Sequence, residues 1–275
     1  MTESQKRIIG LLTDFGSRGG HYIASMKGVI LNINPNALII DISHDVASYS
    51  IIEASYILNS AYKYFPEHTV FIAVIDPGVG SSREILAIKT KSNYYFVGPN
   101  NGIFFSSLSK EEISKSVIVN NEVYYNKPIS KTFHGRDIMS PIGAYITKGI
   151  SLDKFGPSFD LNNLKKATLK LEIKTHERVI HCIVQFIDSF GNVTTNIAVN
   201  DGMIKDTSLS FRNTIELEFK NQNHKGKFVS HFASAPLQSL LFLVGSSGYL
   251  EISKNQGNAA KDLDLKVGDI VIIRI

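Results

Sequence analysis

RIIGLLTDFGSRGGHYIASMKGVILNI, residues 7–33, changes its hydrophobic rhythm half-way. An apolar run ends on Thr13-Asp14 and a glycine-rich turn follows. Ile23, Met26, Ile30 and Ile33 then recur at three- and four-residue steps. The run has the pattern of a buried strand, and the later part that of a helix with one apolar face. The alternation continues outward. ALIIDIS (37–43) reads as a strand, SIIEASYILNSAYKYF (50–65) as a helix and TVFIAVID (69–76) as a third strand. EILAIKT (84–90) and YYFVGP (94–99) read as further strands. Continuous apolar strands separated by helices predict an α/β domain: a mostly parallel sheet flanked by helices.

The text changes after about residue 165. KLEIKTHERVIHCIVQFID (170–188), SLSFRNTIELEFK (208–220), LLFLVGSSGYLEIS (240–253) and DIVIIRI (269–275) are short, often alternating strands with Gly and Asn turns. Helical periodicity nearly vanishes. This predicts a smaller C-terminal antiparallel, β-barrel-like domain over 172–275, after an α/β domain over 1–165. The connection falls within FGPSFDLNNLKKATLKLE (155–172), which carries a proline, polar residues and lysines.

The chain of 275 residues is long enough for one large domain or two modest ones. Its 43% hydrophobic and 20% charged residues are those of a soluble globular protein. A formal charge of +4, with Lys and Arg scattered, gives no sign of nucleic-acid binding. No apolar run is long enough to span a bilayer, and MTESQKR leads straight into a strand with no signal peptide. The single cysteine, Cys182 within VIHCIVQFI (179–187), excludes an internal disulfide and fits a core position in a cytoplasmic protein.

Ligands of open α/β sheets gather beyond the carboxyl ends of the strands. Asp14, Asp41 and Asp76 stand at or near such ends. A lone acid there often serves only as a cap or turn former. VIDPGVGSSR (74–83) is more pointed, because Asp76 is followed by a Pro-Gly turn that can return Arg83 beside it. TDFGSRGG (13–20) lacks the Lys-Ser/Thr of a P-loop and the glycine spacing of a dinucleotide fingerprint. A carboxylate at Asp14 still suits two ribose hydroxyls, since it offers two acceptor oxygens. FHGRD (133–137) gathers His134, Arg136 and Asp137. In the second domain, IDSFGNVTTNI (187–197) again ends a strand on an acid, Asp188. Phe190 there offers a stacking face, and the two asparagines, Asn192 and Asn196, each offer a donor–acceptor pair suited to an adenine edge. GSSGYLEISKNQGNAA (245–260) sets Ser246 and Ser247 between glycines, where hydroxyls and backbone N–H groups can hold a carboxylate. Each is equally readable as a polar hairpin turn.

TDFG, IDPGVGSSR, VGPNNG, TFHGRDIMSP, FGNVTTNI and GSSGYLEISKNQGNAA, in this order, resemble the adenosine-forming S-adenosylmethionine hydrolases, relatives of the fluorinase and chlorinase. The pieces span nearly the whole chain. The resemblance implies an N-terminal α/β domain and a smaller β domain. It also implies a homotrimer, with each site between one subunit's N-domain and its neighbour's C-domain. It places the catalytic Asp-Arg-His set on Asp76, Arg83 and His134, and the ribose acid on Asp14. Asp188 falls on the acid that meets the methionine amine, and Phe190 and Asn192 on adenine contacts. Ser246 and Ser247 lie where the methionine carboxylate is held, and Ala259 and Ala260 where backbone meets adenine. Gly135 stands where the halogenating relatives place a halide-pocket serine, and those relatives lack the Asp-Arg-His set. A family tryptophan position reads Thr194.

The function so implied is hydrolysis of S-adenosyl-L-methionine to adenosine and L-methionine by water or hydroxide attack at ribose C5′, with no cofactor or metal. Two other readings remain. Asp14, Asp41, His44, Asp45, Asp76 and His134 are a possible ligand set for a metal-dependent phosphohydrolase. The chain can also be read as a non-catalytic module that binds S-adenosylmethionine or adenosine.

Overall fold

The computed structural model describes residues 7–167, 169–211 and 213–275. Met1–Lys6 lie outside it, with most of the MTESQKR start, as do Thr168 in the connecting segment and Arg212 in SLSFRNTIELEFK. Contacts divide the chain into two compact units, Met1–Ala167 and Thr168–Ile275.

The first unit is built on six strands: β1 (Ile8–Thr13), β2 (Leu38–Ser43), β3 (Val70–Val74), β4 (Ile85–Thr90), β5 (Tyr95–Pro99) and β6 (Ile113–Ile118). Their order in the sheet is β2-β1-β3-β5-β4-β6. β1 pairs in parallel with β2 and β3, and β3 with β5. β4 alone is reversed, pairing antiparallel with β5 and β6. The link from β4 to β5, residues 91–94, is too short for a crossover and makes a hairpin, with Asn93 left-handed at φ 61°. The sheet is therefore mostly parallel, as its apolar strands predict.

Strand alternation sorts side chains to two cores. Val70, Ile72 and Val74 of β3 join Ile9 and Leu11 beneath helices α1 (Gly20–Ile33) and α4 (Ser140–Thr147). Phe71 and Ala73 face the other way with Leu12, beneath α2 (Ile51–Tyr62) and α3 (Ile103–Ser107). Met26 and Ile30 are the buried residues of α1, with Ile33 partly buried against the same core. Helix α2 starts where Ser50 accepts a hydrogen bond from the Glu53 N–H (3.3 Å), one of the donors a helix start leaves open. These layers place the carboxyl ends of β1 and β3 side by side.

The second unit contains β7 (Glu172–Lys174), β8 (Val179–Ile187), β9 (Val193–Ala198), the small hairpin β10 (Met203–Ile204) and β11 (Thr207–Ser208), β12 (Thr214–Phe219), β13 (Gln222–Phe228), β14 (Leu240–Val244), β15 (Tyr249–Lys254) and β16 (Ile270–Arg274). The order β16-β12-β13-β14-β15-β9-β8 closes on itself because β8 also pairs with β16. The result is a seven-stranded barrel with β7 added beside β8. Closure removes the open strand edges of a small sheet. Cys182, Val184, Ile197, Leu217, Phe242 and Ile252 lie in its buried core, and burial pushes the Cys182 thiol pKa up. One pairing departs from the antiparallel pattern. β13 and β14 run parallel, because residues 229–239 cross over instead of turning back as a hairpin. A short helix, α5 (Ala259–Leu263), also interrupts the strands. At five residues it is too brief to show helical periodicity.

Candidate active site

Strand β3 ends at Val74, and Asp76 follows at the sheet edge. The next residues turn tightly, with Val79 N–H bonded to the Asp76 carbonyl (3.2 Å) and Ser81 N–H to that of Gly78 (3.1 Å). Gly80 adopts φ +78°, and a Cβ there would lie 2.4 Å from the Lys131 carbonyl oxygen. Glycine thus lets this turn press against the segment leading to His134. Arg83 comes back beside Asp76. Its Nε donates to both carboxylate oxygens (2.9 and 3.0 Å), and Nη2 donates to Oδ2 as well. The two side chains are only 5% and 7% exposed, so this ion pair is held rigidly.

The same Nη2 lies 2.9 Å from His134 Nδ1. A guanidinium can only donate, so Nδ1 accepts and the neutral ring carries its proton on Nε2. Burial, reinforced by the Arg83 charge, holds the His134 pKa below its ordinary value, although Asp76 and Asp137 pull the other way. His134 caps a π-helical turn, Gly135–Met139, that runs into α4. Such turns often mark functional sites. The FHGRD cluster divides here. His134 joins the acid and arginine, whereas Asp137 is fully buried and structural. Asp137 accepts from Arg136 (2.7 and 2.9 Å), from Asn126 (3.0 Å) and from the Ser130 N–H (2.8 Å). Burial pushes its pKa up, but those bonds outweigh it and the net shift is downward.

Asp76 and His134 line a pocket of about 310 Å³ together with Asp14, Phe15, Tyr22 and Tyr49. Asp14 Oδ2 accepts from the Tyr49 N–H (2.8 Å). Tyr49 itself holds a left-handed φ of 67°, an unfavourable conformation for a residue with a Cβ. Phe15, Tyr22 and Phe133 form an aromatic wall with centroids 5.2–5.8 Å apart. The sequence reading missed Tyr49, Tyr22 and this wall. No spacing rule announces them, because a loop and two helix starts bring them together.

In the barrel unit, Asp188 follows β8 and organises its own turn. Oδ1 accepts from the N–H groups of Phe190 and Asn192 (both 2.9 Å), and Oδ2 from Asn192 Nδ2 (2.8 Å). Phe190 is 75% exposed. Ala260 N–H donates to the Gly191 carbonyl (3.0 Å), so the start of α5, with buried Ala259, meets this turn. Ser246 is exposed and Ser247 half-buried in the β14–β15 turn. Glu251, another residue the sequence reading passed over, lies against Gly245 of that turn. Its pKa is raised by burial and by the charge of Asp188, against a bond from Ser253. Asp188, Phe190, Asn192, Ala259 and Ala260 therefore gather locally, with the serine turn nearby.

Among the described residues, no three His, Cys, Asp or Glu side chains converge as metal ligands. Asp76 is occupied by Arg83, while Asp41 holds Lys27 (2.6 Å) and contacts His44 (3.0 Å). Arginine and lysine at these carboxylates are the wrong company for a divalent ion.

The SAM hydroxide adenosyltransferase N-terminal domain matches residues 9–156, and the C-terminal domain of the same family matches residues 182–272. The chain belongs to the SAM hydroxide adenosyltransferase family. An (R)-S-adenosyl-L-methionine hydrolase from Methanocaldococcus jannaschii is 39% identical, over 97% of this chain and 95% of that protein. A fluorinase from an Actinoplanes species is 22% identical, over 97% of both chains. The crystal structure of an uncharacterized conserved protein from Thermotoga maritima superposes with a TM-score of 0.88 at 33% identity, over 97% of this chain and all of that one. Gly135 separates this pocket from one with a serine at that position. A Cβ at Gly135 would lie 2.9 Å from Val74 Cγ1, so a serine needs a differently packed strand end.

Proposed function

We propose that this protein hydrolyses S-adenosyl-L-methionine to adenosine and L-methionine, with Asp76, Arg83 and His134 directing water at ribose C5′. The observation that carries this is the hydrogen-bonded Asp76–Arg83–His134 assembly, whose Asp76 and His134 line the pocket that also contains Asp14. A water lone pair forms the O–C5′ bond while the C5′–S electrons pass to sulfur. The sulfonium leaves as a neutral thioether and needs no general acid, and no cofactor enters. One proton departs from the water oxygen. A carboxylate is a weak base toward water, so Asp76 takes that proton only as bond formation makes the water acidic. Its larger task is orientation. Arg83 locks the carboxylate, and the remaining donor of His134, Nε2–H, steadies the oxygen. Fixing nucleophile and C5′ in line can contribute on the order of 7–11 kcal/mol.

Asp14 grips the ribose hydroxyls. Asp188 takes the methionine amine, Phe190 and Asn192 meet the adenine with the backbone of Ala259 and Ala260, and Ser246 and Ser247 hold the carboxylate. We place these second-unit groups on a neighbouring copy in a homotrimer. The division of binding groups between two units, and the bare Phe190 ring, support that arrangement. No helix among the described residues is long and apolar enough to cross a membrane, and the single cysteine suits our assignment to the cytoplasm.

The test is incubation of the purified protein with S-adenosylmethionine and chromatography of the products. Adenosine and methionine in equal amounts, with or without EDTA, support the proposal. Substrate retained intact favours a binding module. Activity lost to EDTA and restored by a divalent ion favours metal chemistry. A 5′-halo-adenosine formed on adding fluoride or chloride contradicts the choice of water.

A further inference from the structure

Behind Asp14 lies a chain of polar contacts that the proposed reaction does not use. His44 Nδ1 lies 2.9 Å from Thr13 Oγ1. On the far side of the ring, Nε2 is 3.0 Å from Asp41 Oδ1, and Asp41 Oδ2 receives Lys27 Nζ from α1 at 2.6 Å. Nε2 is closed to solvent and faces Asp41 across this contact. Thr–His–Asp in this order has the layout of a nucleophile relay. Thr13, however, is fully buried and meets no substrate, so the chain serves another purpose.

That purpose is visible in what His44 holds. Its side chain grips Thr13, and its carbonyl accepts the Gly16 N–H at 2.7 Å. The two contacts fall on either side of Asp14. Thr13 Oγ1 also accepts the Phe15 N–H at 3.4 Å. Five residues after His44, the Tyr49 N–H fixes Asp14 Oδ2 at 2.8 Å. The turn at 13–16 is thus clasped at several points by the segment 44–49, and the carboxylate of Asp14 has one oxygen already fixed in direction.

We propose that His44 is a positioning residue for ribose recognition, holding the Asp14 turn so that its carboxylate meets the sugar hydroxyls. This rests on the reading of Asp14 as the ribose acid. A carboxylate that bonds a hydroxyl in a fixed direction discriminates strongly against a sugar lacking it; a carboxylate on a loosened turn does not. His44 acts through Thr13 and the turn, never on the substrate.

The experiment compares kcat/KM for S-adenosylmethionine and for its 2′-deoxyribose analogue, in the wild type and in three variants. The wild type is expected to prefer the ribose substrate by about tenfold to a hundredfold, the range of one hydrogen bond to a charged group. Asp14→Ala removes that preference. His44→Ala, and Thr13→Val, which keeps the shape and deletes the hydroxyl, each reduce it at least about fivefold, mainly through KM for the ribose substrate. Thr13→Val decides alone if His44→Ala fails to fold. A purely structural role for His44 would lower both substrates equally and leave the ratio unchanged. A full preference in Thr13→Val and in folded His44→Ala, beside its loss in Asp14→Ala, overturns the inference and leaves the ribose reading standing. A preference absent from the wild type, or retained in Asp14→Ala, overturns the ribose reading and the inference with it.

Discussion

Arg83 decides the behaviour of its neighbours. By donating to both Asp76 and His134 it fixes the carboxylate and makes the imidazolium unfavourable, since a protonated Nδ1 would point a second donor at the guanidinium. The His134 pKa is held below 6.5, chiefly by burial. Two outcomes follow. By NMR, the His134 ring should titrate below pH 6.5, and kcat should hold at neutral pH and fall only as His134 protonates; a midpoint above 6.5 contradicts the site. The unfolded chain binds this proton more readily than the folded one, so the contribution to stability is complete above pH 6.5 and is lost as pH drops below it. Second, Asp76→Ala should keep the affinity for S-adenosylmethionine within a few-fold, by calorimetry, and lose turnover by at least about a hundredfold, a typical share for one positioned group. Much of this site was legible from sequence. An acid closing an apolar strand, a Pro-Gly turn and a returning arginine are local features. The joining of His134 was implied only by the family resemblance and not by local pattern, because it depends on packing between segments 51 residues apart. The retirement of Asp137 into a structural lock was not legible.

The elements carrying these side chains have narrow tolerances. The π-helical turn at Gly135–Met139 presses its first residue onto the end of β3, where a new Cβ meets Val74 Cγ1 at 2.9 Å. Gly135→Ser is therefore expected to lower unfolding stability by about 1–3 kcal/mol, as overpacking does. Chemical denaturation measures it, and Val74→Ala should recover part of the loss. A stable Gly135→Ser protein would mean that the turn has room to move. At this scale the sequence was a good guide wherever periodicity was long. The strands β1, β2 and β3 and the helices α1 and α2 all stand where their patterns predict. Short elements were harder. The reversed β4 follows from the length of its link, and the parallel β13–β14 pair from a crossover whose residues show no period.

For the whole molecule, the division of binding groups between two units makes a testable claim about assembly. If each site joins the first unit of one copy to the second unit of another, mixing inactive Asp76→Ala protein with inactive Asp188→Ala protein and allowing subunits to exchange restores activity. Random assembly gives about a quarter of the wild-type rate in a ring with heterologous contacts. No recovery after proven exchange places each site within one copy. The central claim concerns the nucleophile, and its most direct measurement is hydrolysis of S-adenosylmethionine in oxygen-18 water, with mass spectrometry of both products. The account predicts one heavy oxygen in the 5′-hydroxyl of adenosine and none added to methionine. Adenosine without the label would contradict it.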